Sequence, residues 1–393
     1  MSKWLSIVGI GEDGPAGLSE ASRRALAEAE ILFGGARHLA LVEHPDKRPW
    51  PLPFSAAPLL ALRGRRVAAL ASGDPFWHGV GGALAEALTP GEWRAFPAPS
   101  TPALIGARLG WRMEEVPALG LHAAPFARLR PHLAPGGRVV ATLRDGAAAE
   151  ELAAWLTSQG FGETRMILME RLGGPLERVR ETRAQDFTFS EAAAPVSAAL
   201  VFAGEGPTPP LCSGLPDSLF DHDGQITKRP LRALALSALA PRPFERLWDV
   251  GTGSGSIAIE WLLAHPTTQA VGIEADPARA ARARANAAGF GVERLEIREG
   301  RAPEALAGLP APHAVFVGGG ASEELVRALW SLVPQGARIV AHAVTLESEA
   351  LFTRWRSEVG GSLMRIELAE AAPLGRKSGW KAAYPVVQWS VMK

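Results

Sequence analysis

The chain has 393 residues, of which 47% are hydrophobic and 21% charged, so it has enough apolar material for packed cores and no sign of disorder. Lys plus Arg and Asp plus Glu each number 41, and this zero net charge disfavours a general binder of nucleic acid or of membrane surfaces. Cys212 is the single cysteine, which excludes an internal disulfide and a thiolate zinc site. The N-terminus lacks a signal-peptide pattern, and no apolar run approaches the ~20 residues that span a bilayer, so we expect a cytoplasmic protein.

Short apolar runs alternate with Ala- and Leu-rich segments, a pattern that predicts α/β architecture with largely parallel sheets. The predicted strands of the first half are Leu5–Ile10, Val67–Ala71, Arg138–Thr142, Arg165–Met169 and Ala198–Phe202, and the predicted helices are Gly79–Leu88, Pro102–Leu109 and Ala147–Ser158. A Gly- and Pro-rich stretch without periodicity follows. We interpret residues 204–223 as a linker between two domains, residues 1–203 and 224–393.

After the linker the alternation resumes. Leu231, Leu234 and Ala238 recur at helical spacing and predict a helix over Thr227–Leu239. The elements predicted next are strand Arg246–Val250, helix Ser256–Ala264, strand Ala270–Glu274, helix Pro277–Ala288 and strands Leu295–Arg298, Ala314–Val317 and Ala337–Ala341. In the tail, Leu363–Leu368 and Pro385–Val391 flank a Gly-rich basic loop and are expected to form an antiparallel pair that closes the sheet.

A glycine-rich turn follows the first strand of the second domain. That strand ends near Asp249, then Gly251, Gly253 and Gly255 alternate, and a helix begins at once. Glycines suit a tight turn on which a ligand lies against bare backbone, and the amides at the helix N-terminus are expected to donate to that ligand. Glu274 ends the next strand, ~20 residues further on, where a carboxylate can accept hydrogen bonds from both ribose hydroxyls.

This arrangement resembles the nucleoside pocket of class I S-adenosylmethionine methyltransferases, which implies a Rossmann-like fold for residues 224–393. One alternative is an ordinary tight turn between a strand and a helix. The other is a dinucleotide site, which the spacing Gly-x-Gly-x-Gly disfavours because dinucleotide sites use Gly-x-Gly-x-x-Gly.

Further segments narrow the resemblance within that class. They are Ile226-Thr-Lys-Arg-Pro-Leu-Arg, Glu299-Gly-Arg-Ala-Pro-Glu-Ala-Leu, Ala343-Val-Thr-Leu-Glu, and Val315-Phe-Val-Gly-Gly-Gly-Ala-Ser in place of an Asn/Asp-Pro-Pro signature. Together they resemble the enzymes that methylate carbon 15 of a corrin precursor and decarboxylate its carbon-12 acetate. The resemblance implies cofactor contacts by Thr227, Gly251, Thr252, Gly253, Ser254, Gly255, Glu274 and Ala302. Arg301 stands where that family usually has Asp, so no side-chain role is carried over there.

Three loops of the first half form an ordered set. They are Ile7-Val-Gly-Ile-Gly-Glu-Asp-Gly, Ala71-Ser-Gly-Asp-Pro-Phe-Trp and Pro97-Ala-Pro-Ser-Thr-Pro. Such loops at strand ends are where open α/β sheets bind ligands. The set resembles the tetrapyrrole methylases, in particular the branch that acts at carbon 5, which implies two α/β lobes over residues 1–203. That resemblance implies a cofactor cleft lined by Gly9, Gly11, Gly73, Asp74, Ser100 and Thr101, although Asp74 can instead cap the turn before the next helix.

The order of the two domains resembles the decarboxylating precorrin methyltransferases that act on carbons 5 and 15 in the synthesis of the corrin ring of cobalamin. It implies one S-adenosyl-L-methionine per domain, a tetrapyrrole (precorrin) substrate and a homo-oligomer. The presence of cobalt in the substrate, the order of the methylations and the residues that catalyse decarboxylation stay open.

Such a substrate bears many carboxylates, so basic residues are expected around its pockets even in a neutral protein. The candidates are Lys228, Arg229 and Arg232 before the cofactor loop, and Arg376, Lys377 and Lys381 in the closing loop, for which plain solvation is the alternative. Arg279, Arg282 and Arg284 are expected on a solvated helix face.

Sulfonium methyl transfer to an enamine-like carbon needs mainly orientation and exclusion of water. The sequence contains no recognisable nucleophile triad or metal-ligand cluster, and no metal site is predicted. His342 is a candidate proton donor, with a core or surface histidine as the alternative, and Trp77 can stack on a flat macrocycle. Two other functions compete with methyl transfer: a nicotinamide oxidoreductase and a tetrapyrrole carrier without activity.

Overall fold

The computed structural model describes residues 3–393. The chain divides into two compact units, one formed by residues up to 126 and 132–207, the other by residues 127–131 and 208–393. Within the described residues, no helix has both the length and the apolar character needed to cross a membrane.

The first unit begins with a five-stranded parallel sheet. Its strands are β1 (Leu5–Ile10), β2 (Ile31–Gly34), β3 (Lys47–Pro49), β4 (Val67–Ser72) and β5 (Trp93–Phe96), and its helices are α1 (Glu20–Glu28), α2 (Ala36–Ala40), α3 (Ala57–Leu60), α4 (Val80–Glu86) and α5 (Thr101–Leu109). The order is β3-β2-β4-β1-β5. Strand β1, which lies between β4 and β5, is buried along its whole length, as its apolar sequence requires.

A second five-stranded sheet completes the first unit. Its strands are β6 (Ala118–Gly120), β7 (Arg138–Leu143), β8 (Arg165–Glu170), β9 (Arg178–Arg183) and β10 (Val196–Val201), and α6 (Gly146–Ser158) packs on it. In the order β6-β7-β10-β8-β9, only β6 and β7 run parallel. The two predicted α/β lobes are thus confirmed, whereas the expectation of a largely parallel sheet is wrong for this lobe.

The second unit contains a seven-stranded sheet and a separate hairpin. The strands are β11 (Arg246–Val250), β12 (Gln269–Glu274), β13 (Leu295–Glu299), β14 (Ala314–Val317), β15 (Arg338–Ala343), β16 (Ser362–Ile366), β17 (Ala369–Leu374), β18 (Lys377–Ala382) and β19 (Val386–Met392). The helices are α7 (Arg229–Leu239), α8 (Ser256–Ala264), α9 (Pro277–Gly289), α10 (Glu323–Leu332) and α11 (Leu346–Val359). Hydrophobic clusters pack around this sheet, one built with α10 and α11 and one with α7, α8 and α9.

The order β13-β12-β11-β14-β15-β19-β16 places β11 beside β14 and reverses only β19. The predicted antiparallel closure of the sheet by the two tail strands is confirmed. The basic segment between them is not a loop, because β17 and β18 pair over six residue positions.

The predicted linker belongs in large part to the second unit. Residues 208–223 group with that unit, and the chain divides at 207/208. The backbone N–H groups of Gly214 and Leu215 donate to the carboxylate of Glu260 on α8, at 2.6 and 2.9 Å. These bonds fix the middle of the segment to α8, so its Gly- and Pro-rich composition does not make it a free tether.

Candidate functional site

A cavity of about 940 Å³ opens in the second unit beside the C-terminal ends of β11, β12, β14 and β15. Open parallel sheets bind ligands at this edge, where the strand order changes direction. The lining residues predicted from the sequence are Thr227, Lys228, Gly251, Thr252, Gly253, Ser254, Glu274, Ala302 and His342.

The glycine-rich turn forms the base of this cavity. Gly251, Gly253 and Gly255 have φ of 73°, 57° and 80°, in the left-handed region that L side chains disfavour. Gly255 does not line the cavity. A Cβ there would lie 3.3 Å from Ala283 on α9, so Gly255 allows α8 and α9 to approach each other.

The backbone amides of the turn are mostly engaged inside the protein. Gly251 N and Thr252 N both donate to Ile273 O, and Gly255 N donates to Thr252 O. Gly253 N donates to Glu274 Oε2 at 2.9 Å. These four amides hold the turn together and against β12, while the expectation that amides at the N-terminus of α8 donate to the ligand stays a prediction.

Two carboxylates connect the turn to the strands beside it. Glu274 is 7% exposed, and its Oε1 accepts from Asp276 N at 3.0 Å while Oε2 holds Gly253. Asp249 is 1% exposed, and its Oδ2 accepts from Thr252 Oγ1 at 2.6 Å and from Ala258 N at 3.2 Å. Burial raises the pKa of Asp249 to about 6, although both hydrogen bonds lower it. Both side chains are thereby fixed in orientation at the cavity.

A short loop before α7 forms another wall and carries Thr227. Asp223 in this loop pairs with Arg279 at 3.0 Å and with Arg282 at 3.2 Å, both on α9. A hydrogen bond from Gln225 N, together with these arginines, holds the pKa of Asp223 at about 2. The interpretation of Arg279 as part of a purely solvated face is wrong, because Arg279 lines the cavity and anchors the loop.

Several lining residues escaped sequence reasoning. Gly318, Gly319 and Gly320 follow β14 and expose backbone to the cavity, and Tyr384 and Val386 enter from the tail. The three glycines had a signal, since they stand where other methyltransferases carry Asn/Asp-Pro-Pro. No sequence signal marked Tyr384, because it reaches the cavity only when β19 pairs with β15 in the folded unit.

Of the six basic candidates, Lys228 alone lines the cavity. Arg229 is exposed on the first turn of α7, and Arg376, Lys377 and Lys381 are exposed on the β17–β18 hairpin. Within residues 3–393, the three hairpin cations form no ion pair.

The prediction that Arg232 contacts substrate is wrong. Its side chain is fully buried, and its Nε donates to Glu260. Its Nη atoms donate to Asp217 at 3.0 Å and to two backbone carbonyls, and its guanidinium lies 4.9 Å from the Phe220 ring centroid. Arg232 thus fastens the 214–217 segment to α7 and α8.

The first unit has its own cavity, of about 270 Å³. Among the residues predicted for its cofactor cleft, Gly11, Gly73 and Thr101 line it, and so does Trp77. Asp74 does not, because its Oδ1 accepts from Phe76 N at 2.9 Å and closes the turn. Ser100 does not either, because it caps α5 through Ala103 N.

Gly9 also lies outside the lining and has a packing role instead. A Cβ on Gly9 would stand 1.8 Å from Gly73 O, and one on Gly73 would stand 2.5 Å from Pro99 O. The three predicted loops therefore meet backbone to backbone.

Polar groups surround this smaller cavity. Arg37 on α2 pairs with Glu12 of the first loop and donates to Ser72 Oγ at 2.7 Å. Burial, reinforced by the charge of Arg37, lowers the pKa of the adjacent His38 to about 4. Thr142 Oγ1 is buried without a hydrogen-bond partner in the described chain. Within residues 3–393, no group of three or more His, Cys, Asp or Glu is placed to hold a metal ion.

The larger cavity fits a sulfonium nucleoside. Glu274 is oriented at a strand end for a ribose diol, bare glycine backbone lies on both sides, and Ser254 Oγ is buried without a partner among the described residues. Fold and site together define a fused pair of methyltransferase domains.

Comparison with known proteins supports this class and narrows it. Residues 5–188 match the family model of tetrapyrrole (corrin/porphyrin) methylases, and residues 218–393 match that of the precorrin methyltransferase domain. A precorrin-6Y C(5,15)-methyltransferase [decarboxylating] of Sinorhizobium sp is 48% identical over 401 residues, covering 100% of this chain and 97% of that protein. The namesake from Mycobacterium tuberculosis is 39% identical over 396 residues, covering 99% and 100%.

A solved structure, the C-terminal domain of precorrin-6Y C5,15-methyltransferase from Rhodobacter capsulatus, is 50% identical, with a TM-score of 0.46, and covers 47% of this chain and 100% of that chain. The chain belongs to the family of decarboxylating precorrin-6Y C(5,15)-methyltransferases. Methyltransferases of this kind use S-adenosyl-L-methionine as methyl donor, as the two domain resemblances imply.

The role assigned to Arg232 predicts a large loss of stability when its charge is removed. Arg232→Met leaves Glu260 buried without its ionic partner, and breaking such a pair costs about 3–5 kcal/mol. Arg229→Met, on the exposed side of the same helix, should change the free energy of unfolding by less than about 0.5 kcal/mol. Urea unfolding of both full-length variants measures the difference, and equal stabilities would contradict a structural role for Arg232.

Proposed function

We propose that this chain transfers methyl groups from S-adenosyl-L-methionine to carbons 5 and 15 of a precorrin and decarboxylates its carbon-12 acetate, in cobalamin biosynthesis. The observation that carries the proposal is the presence of two separate ligand cavities, each at the strand ends of its own open sheet. Each lies in a unit that matches a different methylase family. We assign one cofactor to each unit.

In the second unit, Glu274 would accept from the ribose hydroxyls, while the Gly251–Gly255 turn, Thr227 and Ala302 contact the remainder of the nucleoside. In the first unit, Gly11, Gly73 and Thr101 would hold the cofactor against bare backbone. When bound, S-adenosyl-L-methionine supplies a methyl group on a good leaving group. The protein then contributes orientation and exclusion of water, which together can supply several kcal/mol of barrier reduction.

We place the carboxylates of the macrocycle against local cations in a chain of zero net charge. Lys228 is supported by its position on the cavity wall, and Arg301 is an exposed cation on the same wall. A substrate contact by the remaining exposed candidates is supported only by their exposure; they are Arg229, Arg376, Lys377 and Lys381. Trp77, half-buried at the smaller cavity, is placed to stack on the ring.

The two competing functions find less support. A nicotinamide oxidoreductase would use the spacing Gly-x-Gly-x-x-Gly, whereas the turn of the second unit has Gly-x-Gly-x-Gly at Gly251, Gly253 and Gly255. A carrier without activity has no need for two cavities that each retain a glycine turn.

We assign the decarboxylation to the second unit, because the motifs of residues 224–393 resemble enzymes that decarboxylate the carbon-12 acetate. Relatives that match only 34–44% of this chain are named cobalt-precorrin-6B C(15)-methyltransferase (decarboxylating). The methylated ring system can accept the electron pair that carbon dioxide leaves behind, and the exocyclic carbon at position 12 then takes up a proton to become a methyl group. A unit that binds the carbon-12 side can orient the acetate for this loss.

A fragment of residues 208–393 tests the assignment, and the 207/208 boundary keeps the contacts of Gly214 and Leu215 to Glu260. Incubated with the hydrogenated precursor and methyl donor, it should yield a product that has gained one methyl and lost carbon dioxide. Residues 1–207 should add a methyl without other loss of mass. Mass spectrometry of both products shows which fragment releases carbon dioxide, and circular dichroism of each fragment is the control for folding. Release of carbon dioxide by residues 1–207 alone would contradict the assignment.

We propose further that the chain forms a homo-oligomer through the β17–β18 hairpin. A lone two-stranded hairpin is marginally stable in water. One face of this hairpin is apolar: Ala371 pairs with Trp380, which is 79% exposed, while Lys377 and Lys381 lie on the other face. Such an apolar face gains stability when a second copy covers it.

Sedimentation velocity of Trp380→Ser and of Lys377→Ser, its matched control on the opposite face, tests this assembly. The Trp380 variant should sediment as a smaller species than the wild-type protein, while the Lys377 variant should retain the wild-type mass. A monomeric wild-type protein would rule the assembly out.

A further inference from the structure

His342 occupies a special place in the wall of the larger cavity. It lies on β15, one residue before the strand ends, and is 6% exposed. Its ring meets Phe316 of β14 edge-on, with centroids 5.1 Å apart and an interplanar angle of 83°. Both residues line the cavity. The ring is thus fixed in orientation by packing at the edge where the ligand binds.

A single hydrogen bond determines which nitrogen of this ring carries the proton. His342 Nε2 lies 2.9 Å from Gln388 Oε1, on the antiparallel neighbour β19, where the two residues are in register. In the structure the amide oxygen of Gln388 faces the imidazole, and Gln388 Nε2 lies 3.3 Å from Ser390 Oγ. An amide oxygen only accepts hydrogen bonds. His342 Nε2 therefore carries the hydrogen, and Nδ1 keeps its lone pair.

The surroundings keep this imidazole neutral. Burial lowers the pKa of His342, and the hydrogen bond to Gln388 offsets this only in part. Among the described residues His342 forms no ion pair with a carboxylate of this cavity, where Asp249 accepts from Thr252 and Glu274 accepts from the Gly253 amide. Among the described residues that line the cavity, His342 is the only imidazole.

The reaction proposed above creates a need for such a base. A meso carbon that already bears one hydrogen carries, after methylation, both that hydrogen and the new methyl group, with positive charge on the conjugated ring. Loss of the hydrogen as a proton returns its electron pair to the ring and restores conjugation. A neutral base in a cavity that excludes bulk water is suited to this step.

We propose that His342 is the catalytic base that removes the proton from the freshly methylated carbon in the second unit, and that Gln388 is the positioning residue that fixes its tautomer. The inference rests on the proposed function. The carbon–hydrogen bond breaks, its electron pair stays in the macrocycle, and the proton bonds to Nδ1. Gln388 Oε1 keeps its hydrogen bond to Nε2–H and stabilises the imidazolium. Proton donation by the neutral ring is disfavoured, because its one N–H is held by Gln388.

Chemical rescue in the full-length protein tests the base. His342→Ala should slow formation of the conjugated methylated product, followed by its absorption spectrum, by about 10²–10⁴-fold. Calorimetry should find S-adenosylhomocysteine affinity within about threefold of wild type. Added imidazoles should restore part of the rate, more strongly as the pKa of the added base rises, as general-base catalysis requires. His265→Ala, a histidine outside the cavity lining, is the matched control and should retain the wild-type rate.

The tautomer gives a readout that does not depend on turnover. Nitrogen-15 NMR of the labelled full-length protein should show His342 with the hydrogen on Nε2. Gln388→Leu should lose this single tautomer, and its kcat should fall by a larger factor than its KM changes. Gln388→Glu keeps an acceptor for Nε2–H, so it should restore the single tautomer and the wild-type kcat.

Two results would overturn the proposal. One is product formation by His342→Ala at the wild-type rate. The other is a slow, folded variant that binds S-adenosylhomocysteine normally but that no imidazole rescues. A wild-type protein that makes no methylated macrocycle would instead refute the proposed function itself, so the two failures are distinguishable.

Discussion

Both cavities depend on backbone that packs directly against backbone at the C-terminal ends of parallel strands. In the first unit this contact joins the end of β1 to the loop after β4, where Gly9 lies too close to Gly73 O for any side chain. In the second unit Gly318 N donates to Val250 O at 3.0 Å, which holds the loop after β14 beside the turn after β11. A side chain at Gly9 would separate the loops of the first unit, so this glycine determines where the smaller cavity opens.

The features closest to these contacts were the most predictable from the sequence. The turn after β11, Glu274 and the strand bounds at Arg246–Val250 and Ala314–Val317 follow from local rules, since an apolar run, a glycine turn and a terminal carboxylate each have their own signal. Two resemblances, each specific to one half, then supplied the family. Local patterns could not show that the amides of the turn bond within the protein, because Ile273 O and Glu274 meet them only once β12 pairs with β11.

The errors that concern arginines share one physical cause, which is that charge in a sequence does not reveal burial. Arg232 and Lys228 lie four residues apart, yet one is fully buried and the other exposed. The two residues differ because Arg232 has a buried ionic partner, Glu260. Glu260 lies among the apolar residues of α8 and approaches Arg232 only in the folded unit. The same holds for Arg279, whose partner Asp223 is 56 positions away. The antiparallel second lobe and the β17–β18 hairpin likewise depend on pairing between strands that no local signal reports.

The central claim is that one chain carries two independent cofactor sites, and titration calorimetry with S-adenosylhomocysteine tests it most directly. The wild-type protein should bind two molecules per chain. Glu274→Ala should remove the charge-assisted ribose bonds, weaken the site of the second unit by about 2–3 kcal/mol, and leave the site of the first unit unchanged. A stoichiometry of one per chain in the wild-type protein, or equal weakening of both sites in the variant, would contradict the account.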